Sequence, residues 1–234
     1  MKEYTTDKLR NVALVGHQGA GKTTLVEALL YNTGAINRLG KIDEKNTASD
    51  WDDEEKARGL SLSTSLIPLE FQDHKINVLD APGFTDFQGE IKNAIRVADS
   101  VIVVVDAVSG VEVGTELAWE YAKVYQQPII VIINKMDREN ADFEGTLQTL
   151  KDSFADHKFI PVMIPIGKEA NFKGVVNLLT MKAYYNEGKD RADLPADMQK
   201  AAEAAHLTLV EAAAEASDEL IEKYFNEGTL TDEE

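Results

Sequence analysis

The chain has 234 residues, of which 44% are apolar and 28% charged, a balance typical of a folded protein rather than a disordered one. It contains no cysteine, which excludes disulfides and thiolate metal sites, and its net charge of −17 argues against binding nucleic acid over a broad surface. No apolar run reaches the length of about 18 residues typical of a membrane span, and residues 1–8 lack the apolar core of a signal peptide, so we expect a soluble cytoplasmic protein with no membrane partner.

Strands and helices alternate over the first two thirds of the sequence. The predicted strands are 11–15, 62–71, 75–80, 101–105 and 129–133, and the predicted helices are 23–31, 87–98, 112–125 and 142–154. Residues 37–60 are polar and without periodicity, which predicts a long mobile loop. This alternation favours an α/β fold with a doubly wound, mostly parallel sheet, whose ligands bind at the carboxyl ends of the strands.

The composition changes towards the end of the sequence. Residues 184–234 carry 14 acidic and 4 basic side chains and are rich in alanine in a helical pattern. We therefore predict a core domain at residues 1–157 and a second, acidic α+β subdomain at residues 158–234.

A glycine-rich motif follows the first predicted strand and opens the first helix. It fits the phosphate-loop pattern and consists of Gly16, His17, Gln18, Gly19, Ala20, Gly21, Lys22 and Thr23, with Thr24 directly after it. Its backbone N–H groups can surround phosphate oxygens at the positive end of the helix dipole. Lys22 is then expected to reach the β- and γ-phosphates and Thr23 to bind Mg²⁺. An ordinary glycine-rich turn is the alternative, but the strand before the motif and the helix after it favour the phosphate loop.

Asp80-Ala81-Pro82-Gly83 follows the third predicted strand. A carboxylate at that strand end suits an outer-sphere contact to Mg²⁺, and the Gly83 N–H can face a γ-phosphate because no side chain blocks its approach. Taken alone, the four residues would be interpreted as a turn. Together with the phosphate loop, they predict a second part of the same site.

Asn134, Lys135, Met136 and Asp137 follow the fifth predicted strand. A carboxylate at Asp137 can accept two N–H groups from guanine, whereas adenine presents a ring acceptor there, and mismatches of this kind cost about 10⁴-fold in selectivity. Asn134 and Lys135 are expected to brace the loop and cover the base. A polar strand-end loop with no such role is the alternative.

Arg58-Gly59-Leu60-Ser61 closes the long polar loop. Ser61 can bind Mg²⁺ when a γ-phosphate is present, which would make residues 37–61 an order–disorder switch with this one anchor. A charged, solvated loop is an equally simple interpretation of the pattern.

These four motifs, in this order, resemble those of translational GTPases, most closely the family of elongation factor G and its paralogues. Further similarity lies at Asp50-Trp51, Glu55, residues 80–87, 111–115, 165–167, 172–178 and 212–220. The resemblance implies GTP/GDP and Mg²⁺ as ligands, GTP hydrolysis linked to ribosomal translocation, and a monomer whose partner is the ribosome, through its rRNA and stalk protein. It also implies that residues 158–234 are part of an inserted subdomain and that the sequence is a fragment lacking the fifth guanine motif.

The sequence departs from the family at several positions. Phe84 stands where the family has a histidine that positions the attacking water, Gly19 replaces an aspartate, Ser61 replaces a threonine, and Gln18 replaces an apolar residue. Lys22, Gln18, Gly83 and Phe84 are therefore the residues expected to determine catalysis. Because phenylalanine cannot hydrogen-bond water, we expect slow hydrolysis.

Three other functions remain open at this point. A nucleotide-controlled ribosome-binding module would have the same motifs with little hydrolysis, and a ribosome-protection factor would have the same GTPase domain. An ATP-using kinase or ATPase is disfavoured by Asp137.

Overall fold

The computed structural model describes residues 2–231 and residue 234. It consists of two compact units, Met1–Lys135 and Met136–Glu234. No helix among the described residues is long and apolar enough to cross a bilayer.

The first unit is built on a five-stranded sheet. Its strands are β1 (Leu9–Gly16), β2 (Ser65–Phe71), β3 (His74–Asp80), β4 (Ser100–Asp106) and β5 (Ile129–Asn134). They are ordered β2-β3-β1-β4-β5, and all neighbours are parallel except β2 and β3, which form an antiparallel hairpin. The predicted, mostly parallel sheet is thus confirmed, with β2 as its antiparallel edge.

Four helices accompany this sheet. They are α1 (Lys22–Asn32), α2 (Asp53–Arg58), α3 (Gln88–Val97) and α4 (Val113–Val124). Leu14 packs in one cluster with Val26 and Leu30 of α1, while its strand neighbours Ala13 and Val15, which point to the opposite face, are equally buried. Both faces of β1 are therefore covered, as in a doubly wound sheet.

Helix α2 lies within residues 37–60, for which the sequence predicts a loop, and the structure corrects that interpretation. A capping box starts the helix. The Asp52 side chain accepts the backbone N–H group of Glu55, and the Glu55 side chain accepts the backbone N–H group of Asp52. Gly59, at φ +65°, ends it in the left-handed conformation. A six-residue helix carries too few apolar positions for periodicity to reveal it.

The second unit contains a four-stranded antiparallel sheet and three helices. In chain order these are α5 (Phe143–Ser153), β6 (Met163–Ile166), β7 (Gly174–Asn177), β8 (Lys182–Tyr185), β9 (Asp190–Ala192), α6 (Gln199–Ala214) and α7 (Asp218–Glu227). Val176, Leu178 and Ala183 form its buried core with Ala202 of α6, and Phe143 of α5 packs against that core. The compact unit consequently begins before α5, and the division at residue 157 stays a prediction.

Candidate functional site

The glycine-rich motif connects β1 to α1 through backbone conformations that favour glycine. Gly16, Gly19 and Gly21 have φ angles of +141°, +78° and +99°. A Cβ atom at Gly16 would run into the carbonyl of Val104 on β4. Gly21 is the N-cap of α1 and offers no side chain to the first-turn N–H groups, which leaves them to a ligand.

Lys22 lies inside this loop rather than in solvent. Its Nζ donates to the carbonyl oxygens of Gly16 and His17, both at 3.0 Å. Burial lowers the pKa of Lys22 to about 8, against the opposing charges of Asp80 and Asp50. The ammonium is therefore still largely charged at neutral pH and is held where an anion in the loop would meet it.

A buried pair of oxygen-bearing side chains lies below the loop. Thr23 Oγ1 donates to Asp80 Oδ2 at 3.0 Å, and Ser61 Oγ lies 3.4 Å from Thr23 Oγ1. Asp80 is 1% exposed. Its Oδ1 and the Ser49 hydroxyl are both buried and make no hydrogen bond of good geometry within residues 2–231 and 234, although the hydroxyl is near enough to lower the Asp80 pKa. Burial raises the pKa of Asp80 to about 6, although the charge of Lys22 opposes the shift.

This group of oxygens fits a hydrated divalent cation. Mg²⁺ prefers a few protein oxygens together with waters and phosphate oxygens, and a buried carboxylate beside two hydroxyls offers that chemistry. The described residues contain no cluster of three histidine, aspartate or glutamate side chains that would hold a metal by themselves. Two hydroxyls and one carboxylate supply part of a coordination shell, which suits a cation that keeps waters or phosphate oxygens as its other ligands.

Gly83 lies directly against the phosphate loop. A Cβ atom there would meet Lys22 Nζ and, at 2.7 Å, the backbone N and Cα of Gln18. Phe84, the next residue, is half-buried, whereas the Gln18 side chain belongs to an exposed residue. The structure thus brings Gly83, Lys22 and the Gln18 backbone together.

Asn134 ends β5 beside the loop, and Lys135 follows directly after it. Asn134 Nδ2 donates to the Ala20 carbonyl at 2.9 Å and so braces the loop. Lys135 Nζ lies 2.6 Å from Asp106 Oδ2, at the end of β4. Asp137 belongs to the second unit and is exposed.

His17 makes contacts that the sequence motif did not predict. Its Nδ1 accepts the Gly114 N–H at 3.2 Å, and its Nε2 lies 3.5 Å from Glu112 Oε1. Because Nδ1 accepts, the proton of a neutral His17 belongs on Nε2, facing that carboxylate. The start of α4 therefore supports the phosphate loop, a contact for which the sequence holds no local signal.

Three carboxylates order the segment of residues 37–61 and the two residues after it: Glu27 from helix α1, and Asp50 and Glu55 from the segment itself. Glu27 accepts the N–H groups of Gly40 and Ala48, and Glu55 accepts those of Leu62, at 2.9 Å, and Ser63, at 3.2 Å. The third, Asp50, accepts the Ser61 hydroxyl at 2.7 Å. The premise that a Ser61–Mg²⁺ contact is the only anchor is wrong, because hydrogen bonds to carboxylates replace apolar packing here.

A phosphate-type loop between a buried strand and a helix, facing a strand-end carboxylate, defines a phosphate-loop nucleotide-binding domain. The family model of the elongation factor Tu GTP binding domain matches residues 7–227. The chain belongs to this family and is a translational GTPase domain similar to that of elongation factor G.

Named relatives agree with this assignment. The chain is 39% identical over 233 residues to elongation factor G of Thermotoga sp. (strain RQ2) and to that of Thermotoga maritima, which covers 97% of the chain but only 33% and 34% of those proteins. A crystal structure from Thermus thermophilus matches 93% of the chain and 33% of its own, with a TM-score of 0.86 and 37% identity. The chain thus spans about a third of the length of these relatives.

Proposed function

We propose that the chain binds GTP and GDP with Mg²⁺ and hydrolyses GTP slowly. The proposed site consists of residues 16–24, Ser61, Asp80, Gly83, Asn134 and Lys135, and Asp137 stays a prediction from the sequence motif. The observation that supports this most is the buried Thr23–Asp80 contact, next to a phosphate loop that holds a buried ammonium.

The loop would bind the phosphates through its backbone. N–H groups at the start of α1 donate to phosphate oxygens, and the helix dipole favours the negative charge. Lys22 donates to two neutral carbonyls in the structure. A phosphate is a stronger, charged acceptor, so the ammonium gains by turning to it.

Mg²⁺ would be held by the hydroxyls of Thr23 and Ser61, with Asp80 acting through a bound water. When bound, the ion neutralises charge on the phosphate oxygens. Thr23 belongs to the loop, whereas Ser61 belongs to the segment of residues 37–61, so we expect Ser61 to bind the ion only in the triphosphate state.

Guanine specificity would be carried by Asp137, with Asn134 and Lys135 shaping the loop. We expect Asp137→Asn to shift the preference towards xanthine nucleotides, because the new amide can donate to the extra xanthine carbonyl. Competition of GTP against XTP measures this. Asp197→Asn, at an exposed aspartate of the second unit, is the control, and a variant that still prefers GTP would refute the role of Asp137.

Hydrolysis would be limited by Phe84. The Gly83 N–H can stabilise the γ-phosphate, but the in-line water also needs a group that accepts or shares its proton. Loss of such a group costs about 10²–10⁴-fold in rate. The Gln18 amide is the nearby side chain that could substitute in part, since it both donates and accepts.

Phosphate release from the full-length protein, with and without ribosomes, tests this limit. Phe84→His should raise ribosome-stimulated turnover, and Phe84→Ala, the matched control, should change it little. Equally rapid turnover by the wild type and Phe84→His would show that the missing histidine does not limit the rate.

Phe84 also supports a second candidate, a GTP-controlled module that binds the ribosome with little hydrolysis. The two functions differ in one measurement. Negligible phosphate release on ribosomes, together with GTP-dependent ribosome binding, would favour the module over the slow GTPase.

The role of the whole protein follows from its relatives and is a proposal. We infer a cytoplasmic, monomeric factor that acts on the ribosome through rRNA and the stalk protein, in translocation or in ribosome protection. Within it, residues 1–157 would form the GTP-binding core and residues 158–234 part of an inserted acidic subdomain.

A further inference from the structure

One buried carboxylate fastens residues 40–48 to helix α1. Glu27 lies on α1 and is 1% exposed. The Gly40 N–H donates to its Oε2 at 2.8 Å, and the Ala48 N–H donates to its Oε1. A buried carboxylate is tolerated only when its oxygens are hydrogen-bonded, so α1 and this segment depend on the same two contacts.

Between the two donors the chain forms its own compact turn. Lys41 N–H donates to Asn46 Oδ1 at 2.7 Å, and the Glu44 N–H donates to the Lys41 carbonyl at 3.1 Å. Arg38, Lys41 and Lys45 around this turn are exposed. The turn therefore has internal order, and its position on the domain depends on Glu27.

We call the two hydrogen bonds from Gly40 and Ala48 to Glu27 the tether. The chain runs on from it towards the proposed cation site. Ala48 is followed by Ser49 and Asp50, which are 1% and 5% exposed. Asp50 Oδ1 accepts the Ser61 hydroxyl at 2.7 Å, and Ser61 Oγ lies 3.4 Å from Thr23 Oγ1. A shift of Ala48 would move Asp50, and with it the hydroxyl of Ser61.

We propose that Glu27 is a positioning residue, which holds residues 40–48 on α1 and, through Asp50, keeps Ser61 beside Thr23 for the triphosphate state. The second half of this inference rests on the proposed GTP function. The first half concerns the nucleotide-free chain and is independent of it.

Two substitutions approach the tether from opposite sides. Glu27→Gln removes one acceptor, because the amide nitrogen cannot accept an N–H group. Gly40→Ala leaves Glu27 intact but places a Cβ atom 2.6 Å from its Oε2 and 2.7 Å from the Asn46 carbonyl. The matched controls are Glu120→Gln, at an exposed carboxylate on α4, and Gly89→Ala, where a Cβ meets no heavy atom within 4 Å.

Limited trypsin digestion of the nucleotide-free protein measures the tether. Cleavage after Arg38, Lys41 and Lys45 should be faster by about tenfold or more in both test variants and unchanged in both controls, since a charge-assisted hydrogen bond is lost or strained. Cleavage after Lys92, in the middle of α3, reports unfolding of the domain. Wild-type cleavage rates in the turn for both Glu27→Gln and Gly40→Ala would overturn the tether.

Nucleotide affinity measures the link to Ser61. In the presence of Mg²⁺, both test variants should lose about tenfold in affinity for a non-hydrolysable GTP analogue while keeping the wild-type affinity for GDP. Faster digestion with unchanged analogue affinity would overturn the link. A wild type that binds neither nucleotide would instead overturn the proposed function, and the trypsin rates would still decide the tether.

Discussion

The phosphate loop and the segment of residues 37–61 meet at the same proposed site but are held by different means. Glycines with positive φ fix the loop, and its order follows from local backbone geometry. The segment has little apolar surface and is held by hydrogen bonds to carboxylates, one from helix α1 (Glu27) and two from within the segment (Asp50 and Glu55). The difference teaches that a polar stretch can be ordered by carboxylates that accept its N–H and O–H groups.

The largest expected effect concerns the phosphate loop, whose order depends on backbone geometry. Gly16→Ala should destabilise the protein by about 3 kcal/mol or more, because φ is +141° and the Cβ would overlap the Val104 carbonyl. Denaturant unfolding measures the change. Gly34→Ala, with φ +74° and no atom within 4 Å, carries the backbone strain alone and should cost only about 1 kcal/mol. Equal costs for the two variants would contradict the predicted overlap.

The meeting point of the two regions gives the next effect. Thr23→Val should weaken Mg²⁺-dependent binding of both GDP and a GTP analogue by about 10–100-fold, because the loop hydroxyl serves both states. Ser61→Ala should weaken only the analogue, since the segment's hydroxyl is needed with the γ-phosphate. Titrations at several Mg²⁺ concentrations measure this, and an equal loss of GDP affinity in Ser61→Ala would show that the two regions do not differ in this way.

The smallest expected effect concerns the carboxylates that order the segment of residues 37–61. Glu55→Gln should speed amide hydrogen exchange at Leu62 and Ser63 by an amount that corresponds to about 1–2 kcal/mol, because the amide is uncharged and keeps one acceptor oxygen for the three N–H groups, of Asp52, Leu62 and Ser63, that the buried carboxylate accepts. Its exposed neighbour provides the control: Glu54→Gln breaks only a surface pair with Arg58, which contributes little. Unaltered exchange at both amides would mean that Glu55 does not hold the segment.

Much of the fold could be predicted because its signals are local. The buried run at residues 101–105 and the glycine motif at residues 16–23 predicted a parallel strand and a strand–loop–helix unit, and β4, β1 and α1 confirm the elements. The edge strand β2 was likewise found as half of a hairpin. Site roles such as those of Asp137 and Phe84 stay predictions, since they depend on ligands.

Glycine conformations and hydrophobic periodicity depend on residues that are near in the chain. The backbone geometries and the apolar faces could therefore be predicted from the sequence alone. Other contacts depend on the tertiary structure. Glu27 of α1 accepts the N–H groups of Gly40 and Ala48, 13 and 21 positions further along the chain. His17 accepts the N–H group of Gly114 at the start of α4. A buried carboxylate has no periodic signature. Its partners are selected by the fold, which removes water and leaves N–H groups as the remaining donors.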